Sequence, residues 1–275
     1  MKSLLLLTDF HYAAKSRAYA AEDLFLSQEL GRAFHVASCH PKDSEPFEDG
    51  ADVILFRNAG PVADYAEEYG RFRSRLLAKG HPIFNSLDGQ GDMQGKQYLI
   101  DLTKQQYPVI PTVERLEDMS LLPITERYLT KPKHGADSHG VAVLDRQTLL
   151  SQPLPTNTLV QPWVEFEYEV SFYYLNNVFQ YALYAPNKQQ RWALERYTPT
   201  SEDLSFAERF IDWNAMKHGI QRIDACRTLD GQLLLVEHED LNPFLSLDLL
   251  DTATRKRFVD TLIDALQSLV VAVPT

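Results

Sequence analysis

The first third of the chain shows short apolar runs alternating with longer amphipathic stretches. Short apolar runs bounded by polar residues are typical of buried strands, and apolar positions recurring every three or four residues are typical of helices. We therefore predict strands at residues 3–8, 35–38, 53–56 and 82–85, and helices at residues 18–31 and 63–77. Strands that alternate with helices indicate a small parallel α/β layer.

The pattern changes in the rest of the chain. Residues 96–104 predict a further helix, which ends before Tyr107-Pro108 because the residue preceding a proline disfavours helical backbone. Residues 128–143 and 158–184 are rich in Val, Tyr, Phe and Leu, which favours antiparallel strands. Residues 252–271 carry apolar side chains at helical spacing and predict a closing helix. The expected fold class is therefore α/β combined with antiparallel sheets, or α+β.

Acidic side chains gather at one end of a predicted hairpin. The apolar run at residues 233–236 predicts a buried strand that carries Glu237 and Glu239 out on one face, because side chains two residues apart point the same way. A tight turn before this strand would bring Asp224, on the preceding strand, close to Glu237. Three carboxylates at close range repel one another, and an all-oxygen set suits Mg²⁺ or Mn²⁺ better than zinc. The alternative interpretation is an acidic hairpin surface that faces water.

Composition limits the classes of partner. The formal net charge of −11 argues against a general binder of nucleic acid or anionic membrane, because phosphate surfaces would be repelled on average. Any phosphate ligand must therefore meet a local basic pocket. The two cysteines, Cys39 and Cys226, form neither a disulfide framework nor a metal-ligand spacing, which favours a reducing cytoplasm. No apolar stretch approaches the ~20 residues that a bilayer span requires.

Two segments have features that suit a nucleotide. Lys131 ends a predicted strand, and the loop at residues 134–140 contains two glycines whose backbone N–H groups can turn toward phosphate oxygens. The run Gln161-Pro162-Trp163-Val164 leaves a strand beside Glu165 and offers backbone groups, an apolar wall and a carboxylate. Each segment taken alone is also typical of an ordinary strand end.

The order of these segments resembles the ATP-grasp ligases, above all the glutathione-synthetase-like branch that includes ligases of the cycloserine-biosynthesis type. The resemblance spans roughly residues 85–247, with Arg57 as a further match. It is carried by the following series: Asn85, Lys96 to Leu102, Pro111-Thr112, Lys131-Pro132, Gln161 to Val164, Glu169 to Ser171, Arg222 to Asp224, Glu237 to Glu239 and Asn242-Pro243. It implies an N-terminal α/β domain (residues 1–87), a small lid subdomain (88–160) and a C-terminal subdomain (161–275), with ATP between two antiparallel sheets.

The resemblance also implies roles for the matching residues. Lys96 and Lys131 match the two ATP-binding lysines. The adenine hinge matches Gln161, Pro162, Trp163 and Val164. Either Glu165 or Glu169 would bind the ribose, and the sequence leaves both open. The metal ligands match Asp224, Glu237 and Glu239; Asn242 completes the metal or phosphate shell, and Arg222 neutralises phosphate or acyl-phosphate charge.

One position departs from the pattern of the family. Relatives often carry a lysine at the end of the strand after the hinge, where this chain has Ala185, and Lys188 or Arg191 in the following loop is a candidate to replace it. The glycine loop at residues 134–140 is the expected moving lid. If neither basic residue substitutes for the lysine, a nucleotide-binding homologue without catalysis becomes the better interpretation.

The implied activity is an ATP-dependent, Mg²⁺- or Mn²⁺-dependent joining of a carboxylate and an amine, both amino-acid or peptide-like, into an amide through an acyl phosphate. A homodimer is common among relatives. Arg57, Asn58 and His11 lie at strand ends of the first layer, where a substrate carboxylate could dock. The remaining alternatives are a sensor or scaffold that binds nucleotide, and an acidic α/β interaction module that binds none.

Overall fold

The N-terminal layer is a four-stranded parallel sheet. The structure is a computed structural model that describes residues 1–12, 19–57, 62–134 and 140–271. The strands pair in the order β2-β1-β3-β4. They are β1 (Lys2–Leu7), β2 (Phe34–Cys39), β3 (Val53–Phe56) and β4 (Ile83–Phe84), and the helices of this layer are α1 (Tyr19–Leu30), α2 (Glu45–Glu48) and α3 (Ala66–Lys79).

A small antiparallel sheet follows. Helix α4 (Gln97–Lys104) precedes it, and its strands are β5 (Arg127–Pro132), β6 (Ala142–Asp145) and β7 (Thr158–Pro162), with the short helix α5 (Arg146–Ser151) between the last two. Strand β5 lies in the centre, between β6 and β7. The domain boundary that we predicted at residue 160 falls inside β7, which stays paired with β5 as far as Pro162.

The third sheet is the largest. It consists of β8 (Phe166–Leu175), β9 (Val178–Ala185), β10 (Glu195–Tyr197), β11 (Ile220–Thr228) and β12 (Leu233–Glu239), in the order β10-β9-β8-β11-β12, and all its pairs are antiparallel. Helix α6 (Ser201–Asn214) precedes β11, and α7 (Thr252–Val271) closes the described chain.

These elements confirm the predicted fold class. A parallel layer with helices precedes two antiparallel sheets, and the predicted strands and helices lie close to those observed. The predicted apolar stripe of α7 is present as well, since Phe258, Leu262 and Leu266 are all buried. None of the helices in the described residues is both long enough and apolar enough to cross a membrane.

A shared core fixes the first layer against the third sheet. One cluster of buried side chains includes Leu6 of β1, Leu26 of α1, Tyr181 of β9 and Leu262 of α7. Elements distant in sequence therefore exclude water together, which favours their association because burial of apolar area stabilises the folded state. The ends of the first-layer strands are consequently held close to β11 and β12.

A buried ion cluster strengthens the same junction. The guanidinium of Arg57, directly after β3, donates to Asp23 at 3.1 Å and to Glu22 at 3.0 Å, both on α1. It also donates to the carbonyl of Pro243, beyond β12, at 2.6 Å. Arg57 is only 1% exposed. It therefore joins the first layer to the segment that follows β12.

The expectation that Arg57 offers its charge to a substrate carboxylate is wrong for this structure. All three of its guanidinium nitrogens donate to groups within the protein, and two carboxylates already balance its charge. His11 is exposed, with its backbone N–H bonded to Asp9. Asn58 lies outside the described residues.

Replacement of Arg57 should be costly. Arg57→Met would leave Glu22 and Asp23 buried without their cation, so we expect a loss of about 3–5 kcal/mol in the free energy of unfolding. The matched control is Arg32→Met, because Arg32 is 45% exposed and pairs with Glu29 and Asp260 at the surface, where such pairs contribute ~0–1 kcal/mol. Equilibrium urea unfolding at pH 7 measures both. Equal losses in the two variants would contradict the structural role of Arg57.

Candidate active site

The hairpin of β11 and β12 presents the acidic residues. In its register Asp224 lies opposite Glu237, and Arg222 lies opposite Glu239. The register shifts between Asp224 and Ala225, so β12 carries one extra residue, Val236, at this point. Without this β-bulge, Glu237 and Glu239 would share the face of buried Leu235, because side chains alternate along a strand. The bulge turns both carboxylates toward the cavity instead.

The three predicted metal ligands converge. Asp224, Glu237 and Glu239 each have one carboxylate oxygen that lies within 4.8 Å of an oxygen of the other two, and these three oxygens lie within 4.8 Å of one another. All three side chains are half-buried. A set of carboxylate oxygens at this spacing fits a hard divalent cation such as Mg²⁺ or Mn²⁺. We call these three residues the acidic cluster.

Arg222 balances part of the charge of the acidic cluster. Its guanidinium donates to Asp224 at 2.8 and 2.7 Å, also donates to Glu239, and reaches the carbonyl of Phe244 at 2.9 Å. Burial alone would lower the pKa of Arg222, but the attraction of the two carboxylates raises it well above its ordinary value. Arg222 therefore remains charged and holds the carboxylates close together.

Two lysines reach the cluster from other elements. Lys96, at the start of α4, donates to Glu237. Burial alone would raise the pKa of Glu237, but the charges of Lys96 and Lys131 outweigh it and lower this pKa to about 2. Burial lowers the pKa of Lys131, on β5, to about 8, despite the attraction of Glu237. The small sheet thus contributes a cation with an unusually low proton affinity.

A cavity of about 1020 Å³ lies over the acidic cluster. Seven of the predicted site residues line it: Lys96, Glu169, Arg222, Asp224, Glu237, Glu239 and Asn242. Six others do not appear among its described lining residues: Lys131, Gln161, Pro162, Trp163, Val164 and Glu165. Lys133, two residues beyond Lys131, lines the cavity and pairs with Glu114 at 2.8 Å.

The hinge segment is engaged in contacts of its own. The amide of Gln161 donates to the hydroxyl of Thr112 at 2.8 Å, and the indole N–H of Trp163 donates to Glu165 at 2.7 Å. The guanidinium of Arg127 lies 4.6 Å from the ring centre of Trp163. Glu165 is accordingly an exposed residue that contacts its neighbours in the connection before β8.

Glu169 has a different environment, because it belongs to β8 and faces the cavity. Arg191 donates to both its carboxylate oxygens, at 2.7 and 2.8 Å. Ala185, at the position where relatives often carry a lysine, pairs directly with Glu169 across the sheet. Lys188 instead lies 5.1 Å over the ring of Phe166. Of the two candidate replacements for the missing lysine, Arg191 is therefore the one that lies at the cavity.

Sequence reasoning missed two aspartates at the site: Asp240 is buried, and half-buried Asp92 lines the cavity. The carboxylate of Asp240 accepts the N–H groups of Gly91 and Met93, at 2.9 and 2.8 Å, and the carboxylate of Asp92 accepts the N–H of Asp240 at 2.8 Å. Burial, together with nearby Asp240, raises the pKa of Asp92 well above its ordinary range. A Cβ atom at Gly91 would lie 2.9 Å from the carbonyl oxygen of His238. The glycines before Lys96 were the available signal, since such residues permit close backbone approach.

The loop at residues 134–140, which we predicted to be a lid, lies outside the described residues at positions 135–139. His134 and Gly140 at its ends are exposed, and His134 lines the cavity. A Cβ atom at Gly140 would lie 2.8 Å from the ring of Pro132, and its φ of +72° favours glycine.

Comparison with known proteins identifies the fold. No family model matches the chain, and no curated protein matches it. Among solved structures, the chain is similar to the D-cycloserine synthetase DcsG, with a TM-score of 0.71 and 18% identity over 96% of this chain and 100% of that chain. It is also similar to the ATP-grasp ligase PsnB complexed with a phosphomimetic variant of its minimal precursor, Mg and ADP (TM-score 0.66, 13% identity, 98% of each chain). A third similar structure is the D-alanine–D-alanine ligase from Bacillus anthracis complexed with ATP (TM-score 0.62, 11% identity, 98% of this chain and 96% of that chain).

These similarities extend over nearly the whole chain and agree with the three sheets described above. The chain therefore has the ATP-grasp fold, with an N-terminal parallel sheet and two antiparallel sheets. The structures that it resembles are ATP-grasp ligases, at identities of 11 to 18%.

The lowered pKa of Glu237 should make stability depend on pH. The pKa of Glu237 is about 2 in the folded protein and near 4.5 in the unfolded chain. Its contribution to the free energy of unfolding is therefore present above pH 4.5 and is lost as pH falls toward 2. We expect the stability difference between the wild type and Glu237→Gln to shrink by about 1 kcal/mol between pH 7 and pH 3.5. Urea unfolding at a series of pH values measures it. Lys96→Met should weaken the same dependence, and a pH-independent difference would contradict the ion pair.

Proposed function

We propose that this protein is an ATP-dependent carboxylate–amine ligase that forms an amide or peptide bond through an acyl phosphate. The observation that carries the proposal is the acidic cluster, which faces a large cavity and has Lys96 and Arg222 bonded to it. The ATP-grasp fold supports it, because similar structures include ligases in complexes with ATP or with Mg and ADP. Small carboxylates and amines of amino-acid or peptide type are the proposed substrates, and the cytoplasm is the proposed compartment.

The acidic cluster and Asn242 would hold Mg²⁺ or Mn²⁺. Such an ion, when bound, neutralises phosphate charge during transfer. Arg222 keeps Asp224 and Glu239 at the spacing that a cation requires, since it donates to both. Its charge also lowers the repulsion that an incoming triphosphate would meet at three carboxylates.

The nucleotide would lie between the two antiparallel sheets. Lys96 and Lys131 approach Glu237 from α4 and β5, and we assign their charges to the phosphates. The segment Gln161, Pro162, Trp163 and Val164 is assigned to the adenine. Of the two candidate ribose ligands we assign Glu169, because it lines the cavity whereas Glu165 contacts Arg127 and Trp163 at the surface.

The reaction consists of two displacements. A substrate carboxylate oxygen attacks the γ-phosphorus of ATP, and the bond to ADP breaks, which gives an acyl phosphate and ADP. The amine nitrogen then attacks the acyl carbon, the bond to phosphate breaks, and the nitrogen loses a proton. Both reactants in the first step are anionic, so cations aimed at the transferred group lower the barrier. We assign this role to Lys96, which lines the cavity, and to Lys131, whose charge acts on Glu237.

A second candidate function is nucleotide binding without ligation. It is favoured by Ala185 at the position of the family's lysine, and by the engagement of Arg191 with Glu169, which leaves less of its charge for phosphate. Binding and turnover distinguish the two functions. A protein that binds Mg-ATP is stabilised by it in either case, whereas only a ligase releases ADP in the presence of both substrates.

Glu237→Gln tests the ligase. In the wild type we expect Mg-ATP to raise the melting temperature, and we expect ADP release to require both a carboxylate and an amine. In the variant we expect turnover to fall at least about 100-fold with the fold intact. The matched control is Glu195→Gln, an exposed residue on edge strand β10 that should leave turnover unchanged. Unchanged turnover in Glu237→Gln would mean that the acidic cluster takes no part in the reaction. Stabilisation by Mg-ATP without ADP release would support the second candidate.

Lys131 should give the reaction an alkaline limit. The charged form of a lysine exists below its pKa, so a pKa near 8 means that Lys131 loses its charge as pH rises through 8. We expect kcat/KM for ATP, which reports the free enzyme, to fall above pH 8. In Lys131→Arg the side chain stays charged, and the decline should move to higher pH. An identical decline in both proteins would remove Lys131 from the phosphate site.

A further inference from the structure

The cavity extends beyond the acidic cluster to a part with a different character. This part is formed by Tyr12, by Tyr19 and Phe25 of α1, and by Phe244 and Leu249 after β12; we call these five residues the aromatic end. The rings of Tyr12 and Tyr19 are 6.1 Å apart, and those of Tyr19 and Phe244 are 4.9 Å apart. Tyr12, Tyr19 and Phe244 therefore form a continuous aromatic surface within the aromatic end.

The aromatic end is adjacent to the acidic cluster. The carbonyl of Phe244 accepts a hydrogen bond from Arg222 at 2.9 Å, and the same guanidinium donates to Asp224 and Glu239. A continuous series of contacts thus leads from the metal ligands through Arg222 and Phe244 to Tyr19. A ligand that fills the aromatic end can extend a reactive group to the acidic cluster without leaving the cavity.

Most of the charged groups near the aromatic end already have partners within the protein. Glu22 lines the cavity, but its carboxylate accepts from Arg57 and from the N–H groups of Leu245 and Leu247. Two further charged lining residues have opposite signs: exposed Asp248, and Arg255, whose guanidinium lies 5.4 Å over the ring of Phe25. A charged ligand group would lose its water here with few free partners to replace it, which is costly, whereas burial of apolar area is favourable.

The size of the cavity leaves room for a second ligand. Its volume of about 1020 Å³ lies at the upper end of the ~300–1,000 Å³ that is usual for a site holding one drug-sized ligand. The nucleotide-binding residues proposed above lie at the start of α4, on β5, on β7 and just after it, and on β8, whereas the aromatic end is built by the first layer and the segment after β12. The two groups of residues therefore suit two different molecules.

We propose that the aromatic end binds an amino-acid substrate with a large apolar side chain, aromatic ones above all, and that Tyr19 and Phe244 determine this specificity. The inference rests on the proposed ligase function, since it names one of its two organic substrates. The side chain would pack on Tyr19 and Phe244, and the carboxylate or amine would face the acidic cluster. Small and charged amino acids would bind less well, because they bury less apolar area or place a charge against an apolar wall.

The experiment measures ADP release with Mg-ATP and amino acids, in both enantiomers, singly and in pairs. Phenylalanine and leucine should give kcat/KM values at least about tenfold above those of alanine, lysine and glutamate. Tyr19→Ala and Phe244→Ala should lower kcat/KM for phenylalanine about 10- to 100-fold, change that for alanine little, and leave the affinity for Mg-ATP unaltered. Tyr19→Phe should retain the preference. Phe47→Ala is the matched control, since Phe47 is 54% exposed on α2, outside the lining of the cavity.

Because Tyr19 is buried, Tyr19→Leu and Tyr12→Ala replace Tyr19→Ala should that variant fail to fold. A preference for small or charged amino acids, unaffected by these substitutions, would overturn the substrate class while leaving the ligase in place. A loss of Mg-ATP affinity in the variants would mean that the aromatic end holds the adenine. That result would also overturn the proposed substrate class.

A failure of the ligase proposal is recognised separately. If no combination of amino acids releases ADP, calorimetric titration with phenylalanine and alanine tests the aromatic end directly. Phenylalanine that binds the wild type and binds Phe244→Ala at least about tenfold more weakly would support the site without the reaction. Absence of phenylalanine binding would overturn the inference itself.

Discussion

The candidate site depends on buried cations that offset the mutual repulsion of three carboxylates. Asp224, Glu237 and Glu239 have oxygens within 4.8 Å of one another, a spacing that is unfavourable for ionised groups in a partly dry environment. Arg222 donates to Asp224 and Glu239, and Lys96 donates to Glu237. These bonds hold the three carboxylates close together. The carboxylate oxygens that line the cavity are donors of the kind that hard divalent cations prefer.

The layers of the fold were predictable because their signals are local. Short apolar runs identified the strands of the first sheet, and helical spacing identified the stripe of α7. Strand periodicity predicted the paired carboxylates of the hairpin. Periodicity alone does not give this arrangement, however, because Glu237 would share the face of buried Leu235 without the bulge at Val236. A bulge adds one residue to one strand and has no clear signature in a single sequence.

Contacts between distant segments were not predictable in the same way. Arg57 is a loop residue in sequence, and only the fold shows that Glu22, Asp23 and the carbonyl of Pro243 surround it. The bond between the carboxylate of Asp92 and the backbone N–H of Asp240 is similar, because Asp240 follows 148 positions later in the chain. Burial and pairing arise from tertiary packing, and a lone charged residue in a sequence is far more often exposed.

The two buried arginines, Arg57 and Arg222, contact the same segment of the chain. Arg57 donates to the carbonyl of Pro243, and Arg222 donates to the carbonyl of the next residue, Phe244. One arginine belongs to the parallel first layer and the other to the third sheet, so the segment after β12 is held from both sides. This segment carries Asn242 and places the ring of Phe244 against Tyr19. Arg222 thus contacts both the acidic cluster and the segment that carries Phe244, and Arg57 fixes the same segment to the first layer.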